Sequence, residues 1–147
     1  MSDPRHLERF VLAQDAGDAY STAWTEISEG EKRSHWIWFV YPQVAGLGLS
    51  AMSRAYAITD LDEARAFLAH PVLGRRLREI TALAIRHPPR SARDIFLNDD
   101  VKFHSCVTLF SLAAPEDPLF RTALEVFFDG VRDQRTEAIL AAQASSQ

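Results

Sequence analysis

Apolar side chains recur every three or four residues through most of the chain, which is the spacing of one face of an α-helix. The clearest example is segment 73–84, where Leu73, Leu77, Ile80 and Ala84 share one face and arginines occupy the other. A two-sided segment of this kind is typical of a helix that packs one face against a core. The pattern therefore predicts a protein built mainly from helices.

Capping residues, prolines and glycines predict where these helices begin and end. Ser2 or Asp3 is the predicted cap of the first helix, and Asp60 has the spacing to Glu63 of a capping box. Ser91 is the predicted cap of a short turn through Phe96, and Asp117-Pro118 predicts the start of the helix at 119–128. His70-Pro71 predicts a helix end, because the residue before proline disfavours helical geometry. The predicted helices cover about residues 4–16, 18–30, 60–70, 71–87 (closed by Pro88-Pro89), 99–114, 119–128 and 135–142, with a short turn at 91–96.

The run HWIWFVY, residues 35–41, is the best strand candidate, because it is rich in aromatic and branched side chains. A lone strand leaves its backbone groups unpaired, and the sequence offers no second strand candidate. We therefore expect a short buried helix capped by Ser34 and ended before Pro42. The fold class is then all-α: one compact irregular bundle of about seven or eight short helices.

A helix near residues 99–114 is expected at the centre of the bundle, because apolar side chains cover most of its circumference. These are Phe103, Val107, Phe110, Cys106 and Ala114 on one side and Val101, Leu109 and Leu112 on the other, with a polar stripe of His104, Thr108 and Ser111. Such a helix is normally surrounded by others. Lys102 and Ser105 then project among apolar neighbours, and a buried ammonium needs a partner to keep its charge.

Composition narrows the class of protein. The 147 residues suit a single domain over 1–147 with frayed ends at about 1–3 and 143–147, and a 47% hydrophobic content can fill a core. The formal charge of −4 argues against nucleic acid as a partner. The sequence shows neither a membrane span nor a secretion signal, so we expect a cytoplasmic protein, monomeric or weakly dimeric.

Cysteine and histidine do not form a metal-binding pattern. The single cysteine, Cys106, excludes an internal disulfide and is expected to be a small core residue. The five histidines lack the spacing of a zinc helix, and His70 is expected to bond its turn. We expect no metal and no cofactor, and whether the protein is an enzyme stays open.

The segment KRSHWIW, residues 32–38, offers the first candidate chemistry. Lys32, His35 and Gln43 can surround a polar or anionic small molecule, because they supply a compact charge, a proton-exchanging ring and an amide. Ser34 and Trp36 belong to the same candidate site, with the indole as a stacking wall. The alternative is that Trp36 and Trp38 are core residues, while Lys32 and Ser34 begin a helix at the surface.

The glycine-containing turn after this segment is a second candidate. Gly46 and Gly48 can expose backbone N–H groups to a phosphate, with Ser50 starting the next helix. The turn lacks the lysine of a P-loop, and no strand leads into it. An ordinary turn is therefore the alternative.

Lysine use gives a third indication, since arginine occurs 14 times and lysine only twice, at Lys32 and Lys102. A shaped site that accepts an ammonium but not a guanidinium would explain this. Lys102 and Ser105 are therefore included in the candidate ligand site with Lys32, His35 and Gln43. We predict Lys102 to be a buried or half-buried cation, bonded to Ser105, to Asp99 or Asp100, or to carbonyls of the 42–48 loop. Replacing it by methionine should cost about 1–3 kcal/mol.

A different function class is also open. Segment 75–93 carries six arginines, Arg75, Arg76, Arg78, Arg86, Arg90 and Arg93, against one glutamate, Glu79. This face can dock an acidic partner, which would make the protein an interaction or regulatory module. A solvated helix face is the simpler alternative.

Three blocks of the sequence resemble the bacterial domain of unknown function 1810 family, whose members are sometimes labelled calpastatin-like. The residues that carry the resemblance are Lys32, Ser34, His35, Trp36, Trp38, Phe39, Pro42, Gln43, Gly46, Leu47, Gly48 and Ser50; Tyr56, Glu63, Ala64, Leu68, His70, Pro71, Leu73, Gly74 and Leu77; and Asp100, Lys102, Ser105, Thr108, Leu109 and Phe110. The resemblance spans about residues 7–130. It implies a compact all-helical domain and no established activity.

Overall fold

The computed structural model describes residues 3–87 and 90–145. In these ranges it has ten α-helices, two single 3-10 turns and no β-strand. The helices are α1 (Glu8–Asp15), α2 (Ala19–Ser28), α3 (Ile37–Val40), α4 (Ala51–Ala55), α5 (Leu61–Ala69), α6 (Leu73–Ile85), α7 (Ala92–Phe96), α8 (Asp100–Ala113), α9 (Pro118–Phe128) and α10 (Gln134–Ser145). Because three of them (α3, α4 and α7) are about one turn long, the bundle is irregular, and the all-α prediction is confirmed.

Several helix boundaries follow the capping residues that the sequence indicated. The Asp60 carboxylate accepts from the backbone N–H of Glu63 at the start of α5, and Asp117 accepts from Leu119 at the start of α9. A capping box at Ser91 begins α7. Each cap satisfies a backbone donor that has no partner inside its helix.

Two helices begin later than predicted. The Asp3 carboxylate accepts from the backbone N–H groups of Leu7 and Glu8, so α1 begins at Glu8 and not near Pro4. The alternative cap, Ser2, lies outside the described residues. The first N–H groups of α6 donate to Nδ1 of His70, which confirms that this histidine bonds its turn and moves the helix start to Leu73.

At the other ends, α6 finishes at Ile85, and the prolines predicted to close it, Pro88 and Pro89, lie outside the described residues. Helix α10 runs to Ser145, three residues past its predicted end. No helix in the described ranges is long and apolar enough to cross a membrane.

Helix α8 is the centre of the core, as its sequence predicts. It packs against α5, α7, α9 and α10, and Phe103, Val107 and Phe110 are completely buried. The sequence also predicts a buried Val101, but this residue in the first turn of α8 is 58% exposed. Cys106 is buried, which confirms it as a core residue, and burial raises the pKa of its thiol.

The aromatic run forms helix α3 and not a strand, as predicted. Ile37, Phe39 and Val40 are buried, and the completely buried Tyr41 donates its hydroxyl to the Ile80 carbonyl at 2.9 Å. Ser34 does not cap this helix, because its hydroxyl donates to the Glu26 carboxylate instead.

Candidate functional site

Both lysines of the chain bind the same carboxylate. Lys32 Nζ lies 2.9 Å from Asp99 Oδ2, and Lys102 Nζ lies 3.1 Å from Asp99 Oδ1. The Lys32 side chain is 7% exposed and the Lys102 side chain 32% exposed. The prediction that Lys102 is a half-buried cation with a carboxylate partner is therefore confirmed. We call Lys32, Asp99 and Lys102 the lysine cluster.

Protein groups already surround Lys32. Its ammonium also donates to the Ser34 carbonyl and lies 4.9 Å from the centre of the Trp36 ring. Its backbone N–H donates to the Ile95 carbonyl at 2.6 Å, which ties the α2–α3 loop to α7. Of the two lysines, Lys102 alone keeps substantial exposure to solvent.

The environment of Asp99 keeps its carboxyl group charged. Burial alone would raise the pKa of Asp99, but the hydrogen bonds and positive charges of Lys32 and Lys102 outweigh it, so the pKa lies below its ordinary value. The turn before Asp99 contains Leu97, whose φ of 56° and ψ of −129° are unfavourable for a residue with a Cβ atom. The backbone is therefore strained two residues before Asp99, the residue that binds both lysines.

A second buried carboxylate, Glu26, organises the loop that carries Lys32. Glu26 Oε1 accepts from the backbone N–H groups of Arg33 and Ser34 and from the Trp36 indole at 2.7, 2.9 and 3.0 Å, and Oε2 accepts from the Ser34 hydroxyl. Burial would raise the pKa of Glu26, but these four donors outweigh it and hold the pKa below its usual value. Ser34 and Trp36 are thus fully engaged in holding the loop.

Two other predicted site residues lie apart from this cluster. His35 is exposed, and its ring makes no hydrogen bond to any residue in the described ranges. The Ser105 hydroxyl lies 3.1 Å from the Val101 carbonyl and 3.1 Å from Asp133 Oδ2. Asp133 also accepts from Thr136, so this network joins α8 to the beginning of α10.

Gln43, Gly46 and Gly48 come together in a different place, at a pocket of about 150 Å³ between the 42–48 loop and α4. Lys32, His35 and Lys102 do not line it, so the structure does not gather the predicted residues into one pocket. We call this space the loop pocket; besides Gly46 and Gly48, its polar and aromatic lining residues are Trp38, Gln43, Ser53, Arg54 and Tyr56.

Local backbone geometry forms the loop pocket. The Ala45 N–H donates to the Ile58 carbonyl and the Ile58 N–H to the Gln43 carbonyl, both at 2.8 Å, so two loop segments are held side by side. Gly46 has a φ of 101°, which favours glycine. A Cβ atom at Gly48 would lie 2.3 Å from Ser53 Oγ, so only glycine lets the loop approach α4 this closely. Ser50 caps α4 by accepting from the Ser53 N–H, as expected.

Several polar side chains at the loop pocket have no side-chain partner within the described part of the chain. The carboxamide of Gln43, the indole N–H of Trp38, the hydroxyl of Tyr56 and the guanidinium of Arg54 form no side-chain hydrogen bond or ion pair with residues in the described ranges. The Tyr56 ring is nevertheless fixed, because it packs edge-on against Phe39 at 5.4 Å. These groups are left for water or a ligand to bond.

Sequence reasoning did not select four residues of these sites. Trp38 and Tyr56 had a signal, since both belong to the family-like blocks, whereas Arg54 is one of 14 arginines and had none. Glu26 had none either, because its four donors come from a loop seven to ten residues ahead.

The arginine-rich segment does not form one continuous exposed face. Arg76 lies 2.9 Å from Asp15 and packs over the Tyr20 ring, and Arg78 lies 3.1 Å from Asp117. These two residues join α6 to α1, α2 and α9. Arg90 packs against Gly30, and Arg93 bonds to Asn98. Only Arg75 and Arg86 are exposed without such a partner within the described ranges.

Across those ranges, no group of three His, Cys, Asp or Glu residues is arranged to hold a metal ion.

Comparison with known proteins agrees with the resemblance in the sequence. A family model described as "Protein of unknown function (DUF1810)" matches residues 4–140. The crystal structure of the conserved hypothetical protein Rv1873 from Mycobacterium tuberculosis is 43% identical, with a TM-score of 0.91 over 95% of this chain and 99% of that chain. No curated protein matches.

Proposed function

The chain belongs to the DUF1810 family of proteins of unknown function, and from its geometry we propose that it binds a small polar molecule with an anionic group at the loop pocket. The observation that carries this proposal is the set of unpartnered donors around one concave space: Gln43, Trp38, Tyr56 and Arg54. Polar groups at a protein surface are usually satisfied by water, but converging donors beside aromatic walls are typical of a ligand site.

Each group has a distinct role in this proposal. The Arg54 guanidinium binds the anionic group, because its planar donors match two oxygens of a carboxylate or phosphate. Gln43 supplies both a donor and an acceptor, which sets the orientation of the ligand. Trp38 and Tyr56 contribute flat apolar surface with a polar tip. The lysine cluster does not line the loop pocket; in this proposal it joins the α2–α3 loop to the start of α8 and does not contact the ligand.

The test is a thermal-shift screen of the wild-type protein with inorganic phosphate, small carboxylates and nucleotides. A compound that binds the folded state raises the melting temperature in proportion to its concentration over its Kd. We expect at least one anion to do so, and we expect Arg54→Gln to weaken its binding about tenfold. Gln43→Ala should weaken binding by a similar factor when the ligand also has an uncharged portion that reaches Gln43.

The matched control is Arg75→Gln, which removes an exposed arginine on α6 that has no ion-pair partner in the described ranges. Its response should equal that of the wild type. A response that Arg54→Gln leaves intact would locate the anion elsewhere, and a screen in which no anion raises the melting temperature would contradict the proposal.

A further inference from the structure

The loop pocket adjoins a larger basic groove. Three residues line both spaces, Ala45, Arg54 and Ala57, so the two share part of their walls. The groove has a volume of about 590 Å³, and its charged lining residues are Arg5, His6, Arg9, Arg54 and Glu63. We call it the arginine groove.

Size indicates that a ligand of the loop pocket extends into this groove. The pocket measures about 150 Å³. Small-molecule sites usually measure about 300–1,000 Å³. The pocket is therefore smaller than a usual small-molecule site, and the adjoining arginine groove offers space for the rest of a ligand.

Arg9 connects the two walls of the groove and is not free to bind a ligand. Its guanidinium donates to the carbonyls of Ala55 and Ala57 at 2.9 and 3.0 Å and to those of Arg5 and His6 at 2.8 and 2.9 Å. Its charge is offset by Glu63, whose Oε2 lies 3.6 Å away. Arg9 is a positioning residue that holds the segment before α1 against the end of α4.

Three basic side chains remain available in the groove. Arg54 and His6 make no side-chain hydrogen bond within the described ranges. Arg5 lies 3.5 Å from Asp60, but both side chains are more than one-third exposed, so water weakens that pair. Because Glu63 already balances Arg9, Arg5 and Arg54 leave a net positive charge, and His6 adds a donor.

We propose that the loop pocket and the arginine groove form one bipartite site for a phosphate monoester. The phosphate binds Arg54 and Arg5 in the groove, where two guanidinium groups can share its oxygens and its double negative charge. The uncharged carbon portion occupies the loop pocket beside Gln43 and the rings of Trp38 and Tyr56. This inference rests on the proposed function, since it names the ligand class of the same pocket.

The experiment is isothermal titration of the full chain with ribose 5-phosphate, with inorganic phosphate and with ribose. We expect ribose 5-phosphate to bind at least about tenfold more tightly than either part alone, because each half of the site contributes. Arg5→Gln should weaken binding of both phosphates about tenfold, whereas Gln43→Ala should weaken only the ester. Both variants change exposed or half-buried side chains, and circular dichroism checks their folding.

The matched control for Arg5→Gln is Arg132→Gln, which breaks an exposed ion pair of the same 3.5 Å length, with Glu137, outside this site. It should bind like the wild type. If Arg5→Gln leaves the ester affinity unchanged while Arg54→Gln and Gln43→Ala reduce it, the bipartite site is overturned and the proposed function stands. The bipartite site is also overturned, and the proposed function stands, if carboxylates bind through Arg54 but the ester does not bind. If Arg5→Gln is the one variant that weakens ester binding, the loop pocket is overturned. If no anion binds, both proposals fail.

Discussion

A single carboxylate can hold two lysines, because each compact ammonium needs only one of its oxygens. Lys32 takes Asp99 Oδ2 and Lys102 takes Oδ1, and the buried ammonium of Lys32 has further partners in the Ser34 carbonyl and the Trp36 ring. A guanidinium at position 32 would bring a larger planar fork into this enclosed space. One shared partner, Asp99, thus explains why these two positions carry lysine in a chain that otherwise uses arginine.

We expect Lys32→Met to destabilise the protein by about 2–3 kcal/mol, because it leaves a partly buried Asp99 oxygen and a carbonyl without a donor. Lys102→Met should cost about 1 kcal/mol, at the low end of the range predicted from the sequence, since the Lys102 side chain is 32% exposed. Urea unfolding measures both values. Equal costs for the two substitutions would mean that burial does not distinguish the lysines.

The turn at Leu97 gives a prediction on backbone strain. Its φ of 56° with ψ of −129° suits glycine, and the side chain is 46% exposed, so little packing is lost on removing it. Leu97→Gly should raise the free energy of unfolding by about 1 kcal/mol, since the relieved strain exceeds the entropy cost of glycine. Leu97→Ala is the control, because it removes the same contacts but keeps the Cβ atom. A stability of Leu97→Gly below that of Leu97→Ala would contradict the strained geometry.

At the scale of elements, helices α5 and α6 approach closely because one of the facing residues is glycine. A Cβ atom at Gly74 would lie 2.0 Å from the Leu68 carbonyl oxygen, which belongs to the backbone and cannot turn away. The close approach also lets the Arg78 guanidinium bond to the same carbonyl. Gly74 therefore sets the distance between the two helices.

Gly74→Ala should destabilise the protein by at least about 3 kcal/mol, although alanine is the better helix former by about 1 kcal/mol. The control is Ala82→Gly at a half-buried position of the same helix, which should cost only about 1 kcal/mol, the difference in helix propensity between the two residues. Thermal and urea unfolding report both changes. A Gly74→Ala protein as stable as the wild type would show that α5 and α6 can separate without cost.

At the scale of the whole molecule, aromatic rings connect the central helix to its neighbours, and buried charges are held by specific partners. Tyr41 from the α3 segment packs edge-on against Phe96 and Phe103 at 5.4 and 5.2 Å, which joins α7 and α8. Glu26 and Asp99 lie at the edge of this core and fix the α2–α3 loop and the start of α8. Protonation of either carboxyl should therefore weaken the contacts that hold the α2–α3 loop and the start of α8, and so lower the stability of the protein.

Stability should fall in acid. The folded-state pKa values of Asp99 and Glu26 lie below their ordinary values of 3.8 and 4.5, so their contribution is complete above about pH 4.5 and is lost as the pH falls through the folded values. The measurement is the free energy of unfolding in urea at pH 7 and at about pH 3.5. Glu26→Gln keeps the shape of the side chain but cannot titrate, so it should lower stability at pH 7 and lose less between the two pH values. A loss equal to that of the wild type would exclude Glu26 as a source of the acid sensitivity.

Local patterns determined the helical class, most helix boundaries and the central position of α8, because apolar spacing and capping depend on residues three or four apart. Asp60, Ser91 and Asp117 cap the helices that the sequence assigned to them. The boundaries that differ depend on side chains reaching beyond the nearest turn, such as Asp3 and His70.

The sites depended on tertiary structure to a greater degree. Sequence identified the two lysines, but their common partner needed the α2–α3 loop to meet the start of α8 across 67 positions, from Lys32 to Asp99. It also grouped Gln43 with Lys32 because they are close in the chain, whereas the short helix α3 directs the chain away, so that Gln43 meets Arg54 and Tyr56 in the loop pocket. The sequence gives the chemical type of each side chain. Which side chains line the same pocket depends on how the helices pack, because packing brings together residues that are far apart in the chain.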